Sequence, residues 1–265
     1  MSRRDITMQM NRNSIAAAAL AIAALSAQVA HAQDPRQIVE ESQKRGRAAS
    51  QRYEGLLQVT DAGGKTSEKR WVSERIGSFG NSKAILRFTT PAEVKGVAIL
   101  IVNHTDRSAD QWMWTPAIGR ERRIALQDRS TRFFGTDFTF EDLEERDLDQ
   151  FDYKTMGEDV IDGEKCWHIE STPRKTKSSQ YSSLQLWIRQ DNYVTARVSC
   201  FAKDSELRRL DYTQIERTQG IWTAGVATMS DLKRKSRTVL KLEKLQYNLP
   251  MKDDDFTVAA LERGQ

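Results

Sequence analysis

Four phenylalanines, Phe133, Phe134, Phe138 and Phe140, are followed at once by Glu141, Asp142, Glu144, Glu145, Asp147 and Asp149, the densest run of chemical character in the chain. Aromatics this closely spaced do not stay in a solvated loop; the body of the protein or an apolar ligand must cover them. The carboxylates, at helical spacing and interrupted by arginine, read as a solvated face. None of the patterns G-x-S-x-G, H-E-x-x-H, Walker A or C-x-x-C occurs, and beyond residue 32 only His104 and His168 could serve a histidine-built zinc site. The chain therefore reads as a non-enzymatic protein without cofactor or metal.

Other candidates are binding residues rather than catalysts. Trp112 and Trp114 share strand parity and can line one apolar face, as an apolar site or as ordinary core. Arg120, Arg122 and Arg123 form a basic cluster that reads either as solvated strand residues or as a docking patch for anionic headgroups or an acidic partner, where each basic residue near a membrane is worth about 1 kcal/mol. Gly135 and Asp137 sit where a cover segment needs a hinge and a helix cap. Cys166 and Cys200 fall on strands separated by a third, so they are expected unpaired.

These residues need elements to position them. Asp34 followed by Pro35 opens a helix expected to run from Gln37 to Arg52. Period-two runs then follow at 53–60, 66–77, 84–89, 96–103, 110–115, 120–126, 152–160, 165–171, 182–189, 193–202, 206–217, 221–231 and 236–247, joined by turns such as Asp162-Gly163 and Gln219-Gly220. Such a succession of hairpins is an antiparallel meander. The apolar phase slips between Leu242 and Leu245, placing a bulge near Glu243-Lys244 that bends the sheet. The segment 127–150 breaks the rhythm; Thr139 or Asp137 can cap a short acidic helix over Phe140–Leu148, a lid lying on an open sheet.

The start of the chain bears on where this happens. Arg3, Arg4 and Arg12 precede an apolar run from Ile15 to Leu25, and the stretch closes a few residues later on Ala30-His31-Ala32, the form of a cleavable secretory signal over residues 1–32. Its removal lowers the formal net charge from +4 to about +2, a balance that excludes a nucleic-acid footprint. The expected product is a single periplasmic domain over residues 33–265.

Three further stretches carry a resemblance: Leu86-Arg-Phe88-Thr-Thr-Pro91 to Gly96, Gln111-Trp112-Met-Trp114-Thr-Pro116 to Arg120, and Phe133-Phe134-Gly135-Thr136-Asp137-Phe138 to Leu143. With the Tyr247-Asn-Leu-Pro250 to Thr257 tail, they resemble the outer-membrane lipoprotein-sorting proteins of the LolA/LolB-like superfamily, in particular a subgroup whose members often accompany transporters of the resistance-nodulation-division type. The resemblance implies a mainly β fold, an unclosed antiparallel half-barrel with an N-terminal helix and a helical lid. It also implies the function: a periplasmic carrier of lipid or lipoprotein acyl chains, with transient membrane contact and an inner-membrane transporter as partner. At about 0.8 kcal/mol per methylene, exposing two long chains costs on the order of 20 kcal/mol, which is why such a carrier needs a covered apolar groove. On this reading Trp112, Trp114, Phe133, Phe134, Phe138, Phe140 and Leu143 contact the lipid. A non-transporting accessory subunit and a lipid-acting enzyme are the alternatives.

Overall fold

A computed structural model describes residues 33–263; the expected signal at 1–32 lies outside the described residues. The Asp34 carboxylate accepts the backbone N–H of Arg36 and Pro35 occupies the first turn, starting α1 (Pro35–Arg45) as expected. It ends seven residues short of the expected Arg52. Gly46 closes the helix, and the next amides turn outward: Ala48 N–H donates to Ser78 Oγ and Ala49 N–H to Asn248 Oδ1. Those bonds feed the chain directly into the first strand.

Thirteen strands follow: β1 (Ser50–Thr60), β2 (Thr66–Ser78), β3 (Asn81–Thr90), β4 (Ala98–Val102), β5 (Asp110–Thr115), β6 (Arg120–Arg123), β7 (Phe151–Ile161), β8 (Glu164–Pro173), β9 (Ser183–Arg189), β10 (Thr195–Ala202), β11 (Ser205–Thr218), β12 (Ile221–Asp231) and β13 (Ser236–Tyr247). All belong to one antiparallel sheet ordered β6-β5-β4-β3-β2-β1-β13-β12-β11-β10-β9-β8-β7, with β6 and β7 as unjoined edges. The fold is mainly β and unclosed, as expected. The bulge lies where the phase slip put it: Arg52 pairs with Gln246 but Glu54 with Glu243, and Lys244 takes φ 51°. Gly55 on β1 lets an aromatic cross the inner face, because a Cβ there would stand 2.2 Å from Trp71 Nε1.

The sheet is curled by what spans it. At about 4.8 Å per strand, a flat sheet would separate β5 from β9 by roughly 43 Å. Yet one carboxylate, Glu144, accepts from Gln111 Nε2 on β5 at 3.1 Å and from Lys177 Nζ in the β8–β9 connection at 2.5 Å. Two residues earlier, Asp142 Oδ1 accepts the Tyr181 hydroxyl at 2.8 Å, just before β9. Both arms of the sheet must therefore bend toward the segment 124–150 that joins β6 to β7.

The main core fills the inner face, from Ile99 and Ile101 on β4 to Ile169 on β8, with Ile38 and Val39 of α1 and the lid phenylalanines. Two smaller clusters lie elsewhere. One sets Ile85, Leu100 and Trp114 under the C-terminal Phe256 and Leu261, the latter in α2 (Ala260–Arg263); the other contains Ile161, Cys166 and Trp187. Cys166 and Cys200 are free and buried, in different clusters, consistent with the expectation that they do not pair.

Candidate functional site

The crossing segment has two parts with different chemistry. Residues 131–140 form a tight hairpin-like loop, in which Phe133 N–H donates to the Phe138 carbonyl at 2.8 Å and Phe140 N–H to Thr131 at 3.2 Å. Its tip has Phe134 at φ 45° and Gly135 at φ 77°, a consecutive left-handed pair that favours glycine at the second position. Asp137 does not cap a helix. Fully buried, it accepts from Arg132 Nη2 at 2.8 Å, Ser236 Oγ at 2.6 Å and Thr238 Oγ1 at 2.8 Å, locking the loop onto the start of β13. Thr139 takes the capping role, exchanging hydrogen bonds with Asp142, and the helix expected over Phe140–Leu148 shrinks to 3-10 turns at Glu141–Leu143 and Leu148–Gln150. The reason lies in the carboxylates: they are bonded to groups outside the segment, which holds the backbone extended between turns.

Those carboxylates correct the expected solvated face. Glu144 is buried between Arg129 Nη1 at 2.8 Å and Lys177 Nζ. Glu145 pairs with Arg75 at 2.9 Å and accepts the Phe79 N–H at 2.7 Å and the Ser82 hydroxyl. They strap the segment to both arms of the sheet.

Three of the four loop phenylalanines, Phe133, Phe134 and Phe140, fill space rather than line it. Phe133 stacks on Phe88 with centroids 5.3 Å apart, Phe134 and Phe140 meet it edge-on at 5.2 and 5.5 Å, and Trp71 lies 5.8 Å from Phe88. Open space appears beside them. One compartment of about 330 Å³ is walled by Trp71, Leu86, Phe138, Leu143, Leu240 and three alanines, Ala84, Ala224 and Ala227. A second, of about 290 Å³, runs under α1 along Phe151, Leu186, Ile188 and Val198. Both share Asp142, Glu145, Leu210 and Tyr212 as wall. Neither reaches the upper end of the 300–1,000 Å³ range of ligand pockets that a two-chain lipid calls for.

Of the residues expected to meet an apolar ligand, Phe138 and Leu143 line this space, whereas Phe133, Phe134 and Phe140 sit in the packed aromatic cluster beside it. Trp112 and Trp114 do not reach it. Their shared parity is real, but the face they share carries the cluster under the C-terminal segment, with Arg123 over the Trp112 ring at 5.8 Å. Period two identifies a face and not which side of the sheet is the inner one. Arg120, Arg122 and Arg123 are exposed on the edge strand β6, next to exposed Ile118 and Leu126. Arg123 pairs with Asp110; burial raises the Asp110 carboxyl, but its bonds to Arg107, Arg123 and His104 outweigh this and hold it below the usual range.

Sequence reasoning missed the residues that make the wall: Leu210 and Tyr212 on β11, the small alanines, and the Arg75–Glu145 pair. Only the parity of Leu210 and Tyr212 was available as a signal. Burial raises the pKa of Tyr53, Tyr153 and Tyr212, all of which face this space, so their hydroxyls stay neutral.

A family model described as an uncharacterized protein matches residues 80–263, more than half of the chain. The chain belongs to that family. Its fold is shared with solved structures that it covers almost entirely. A domain described as an outer membrane lipoprotein-sorting protein from Vibrio parahaemolyticus superposes with a TM-score of 0.82 at 21% identity, covering 86% of this chain and 98% of that one. A DUF1329 family protein from Desulfovibrio piger gives 0.81 at 26% identity, covering 86% and 100%. A LolA superfamily protein from Nitrosomonas europaea gives 0.67 at 20% identity, covering 84% and 98%. This member of the family thus has the fold found among lipoprotein-sorting and LolA superfamily structures. No curated protein sequence matches it.

Proposed function

We propose that the chain is a periplasmic carrier that buries acyl chains of a lipid or lipoprotein between the curled sheet and the crossing segment, and moves them between membranes. The observation that carries this reading is the pair of adjoining compartments beneath a polar strap, in a core otherwise closed by stacked aromatics. Both are half-open clefts with apolar side chains on their walls, the form a guest can enter. Its lipoprotein-sorting structural relative supports the same reading. Residues 1–32 act as the secretory signal, 33–265 as one carrier domain, and Phe138 and Leu143 touch the chain. No catalytic residue is required.

A second reading has its own observation. The edge strand β6 presents Arg120, Arg122 and Arg123 beside Ile118 and Leu126, which are 61% and 51% exposed, an amphipathic patch suited to docking on an anionic surface or on a transporter of the resistance-nodulation-division type. It accommodates an accessory subunit as well as a carrier that docks to load. Organic extraction and native mass spectrometry of protein purified from the periplasm test the carrier: a stoichiometric acyl lipid is expected, and a protein empty after expression, which also refuses added lipid, would leave only the docking role.

A further inference from the structure

The second compartment holds a cation whose guanidinium has no direct ion-pair or hydrogen-bond partner among the described residues. Arg146 lies on its wall, anchored through its backbone oxygen, which accepts Gln43 Nε2 from α1 at 2.7 Å. Nineteen ion pairs occur among the described residues within 4.0 Å, and none includes Arg146; its guanidinium makes no side-chain hydrogen bond there either. The carboxylates that face it are already engaged. Asp142, whose field reaches the guanidinium, spends its oxygens on Thr139 and the Tyr181 hydroxyl; Glu144 on Arg129 and Lys177; Glu145 on Arg75, Ser82 and Phe79.

Arg146 is half-buried on a wall of mixed polarity, so an anion that pairs with its free guanidinium gains a charge-assisted bond, provided apolar surface receives its tail. The compartment supplies that surface. Leu186, Ile188 and Val198 form one side, and Ser42 and Tyr212 add hydroxyls to the wall. The space also sets the size of the guest. A methylene takes about the volume of one water molecule in the liquid, roughly 30 Å³, so the two compartments together hold about twenty methylenes, one long chain rather than two.

Resting on the carrier reading, we propose that the cavity binds a single-chain lipid with an anionic head, a long-chain carboxylate, whose carboxylate pairs with the Arg146 guanidinium while its tail follows Leu186, Leu210 and Leu240. Guanidinium and carboxylate match in planar, two-bond geometry, which a neutral head cannot reproduce.

The test compares palmitate with hexadecanol, the same chain length with an uncharged head, titrated into the lipid-stripped processed protein. Wild type is expected to bind palmitate at least about tenfold more tightly than hexadecanol, the scale of one charge-assisted pair. Arg146→Gln should remove that preference, leave hexadecanol binding within about twofold, and keep or raise the thermal midpoint; Arg146→Lys should keep part of the preference. A purely structural arginine would instead lower the midpoint and weaken both ligands alike. Equal binding of both ligands by wild type, or a palmitate preference that survives in Arg146→Gln, overturns the proposal and leaves the carrier standing. Failure of both ligands to bind wild type would remove the carrier reading and this proposal with it.

Discussion

Two neighbouring parts of the inner face differ in what covers the sheet. Over β2 and β3, Trp71, Phe88, Phe133, Phe134 and Phe140 stack into a solid block. Toward β11–β13 the sheet offers Ala224, Ala227, Leu210 and Leu240, and the segment above offers Leu143 and the strap carboxylates, leaving a void. The aromatic part anchors the cover; the part with small side chains leaves room for a guest. Large side chains here therefore mark the packed anchor of the cover, and small ones mark the open groove beside it.

This contrast can be broken in several ways. The largest effect is expected at the strap: Glu144→Gln leaves Arg129 and Lys177 buried without their anion and should cost about 3–5 kcal/mol in chemical denaturation. Phe133→Ala, in the aromatic block, should cost a similar 3–5 kcal/mol, while any lipid carried by the folded fraction stays at wild-type stoichiometry. Ala227→Leu reverses the pattern. It fills part of the void, so stability should change by less than about 1 kcal/mol while lipid retention measured by native mass spectrometry falls. If Phe133→Ala lost lipid selectively and Ala227→Leu did not, the roles assigned to the two parts would be exchanged.

Smaller, and sharper in sign, is the dependence on pH. Burial pushes the Cys200 thiol up to about 12, against roughly 8.5 for an exposed cysteine. The folded state then holds this proton more firmly than the unfolded one, so the contribution is fully present below about pH 8.5 and is lost as pH rises toward 12. The stability advantage of wild type over Cys200→Ala should shrink across that window. Both thiols should resist alkylation in the folded protein and label in denaturant.

The strand pattern was legible because half-buried antiparallel strands alternate. Asp110–Thr115, Ile221–Asp231 and Ser236–Tyr247 coincide with the bounds expected from period two, and the bulge followed from a slip in the same period. The end of α1 was not legible, since Arg47 to Arg52 suits helix or strand and the bonds to Ser78 and Asn248 that decide it come from far along the chain. The lining of the candidate site was legible only in part. Phe138 and Leu143 line the space, whereas the face shared by Trp112 and Trp114 lies under the C-terminal segment, and Glu144 was read as surface because its partners Gln111, Arg129 and Lys177 are brought together by curvature alone. A void has no residue type of its own, so nothing in the sequence marks Ala224 or Ala227.

The central claim, that the ligand lies in the space under Leu143–Arg146 and not among the aromatics, is tested most directly by photo-crosslinking with a palmitate that carries a diazirine in its chain. Peptide mapping should find the adducts on β11–β13 and on the segment around Leu143, at residues such as Leu210, Tyr212 and Leu240. Adducts concentrated on Trp112, Trp114 or the edge strand β6, with none at Leu210 or Leu143, would contradict it.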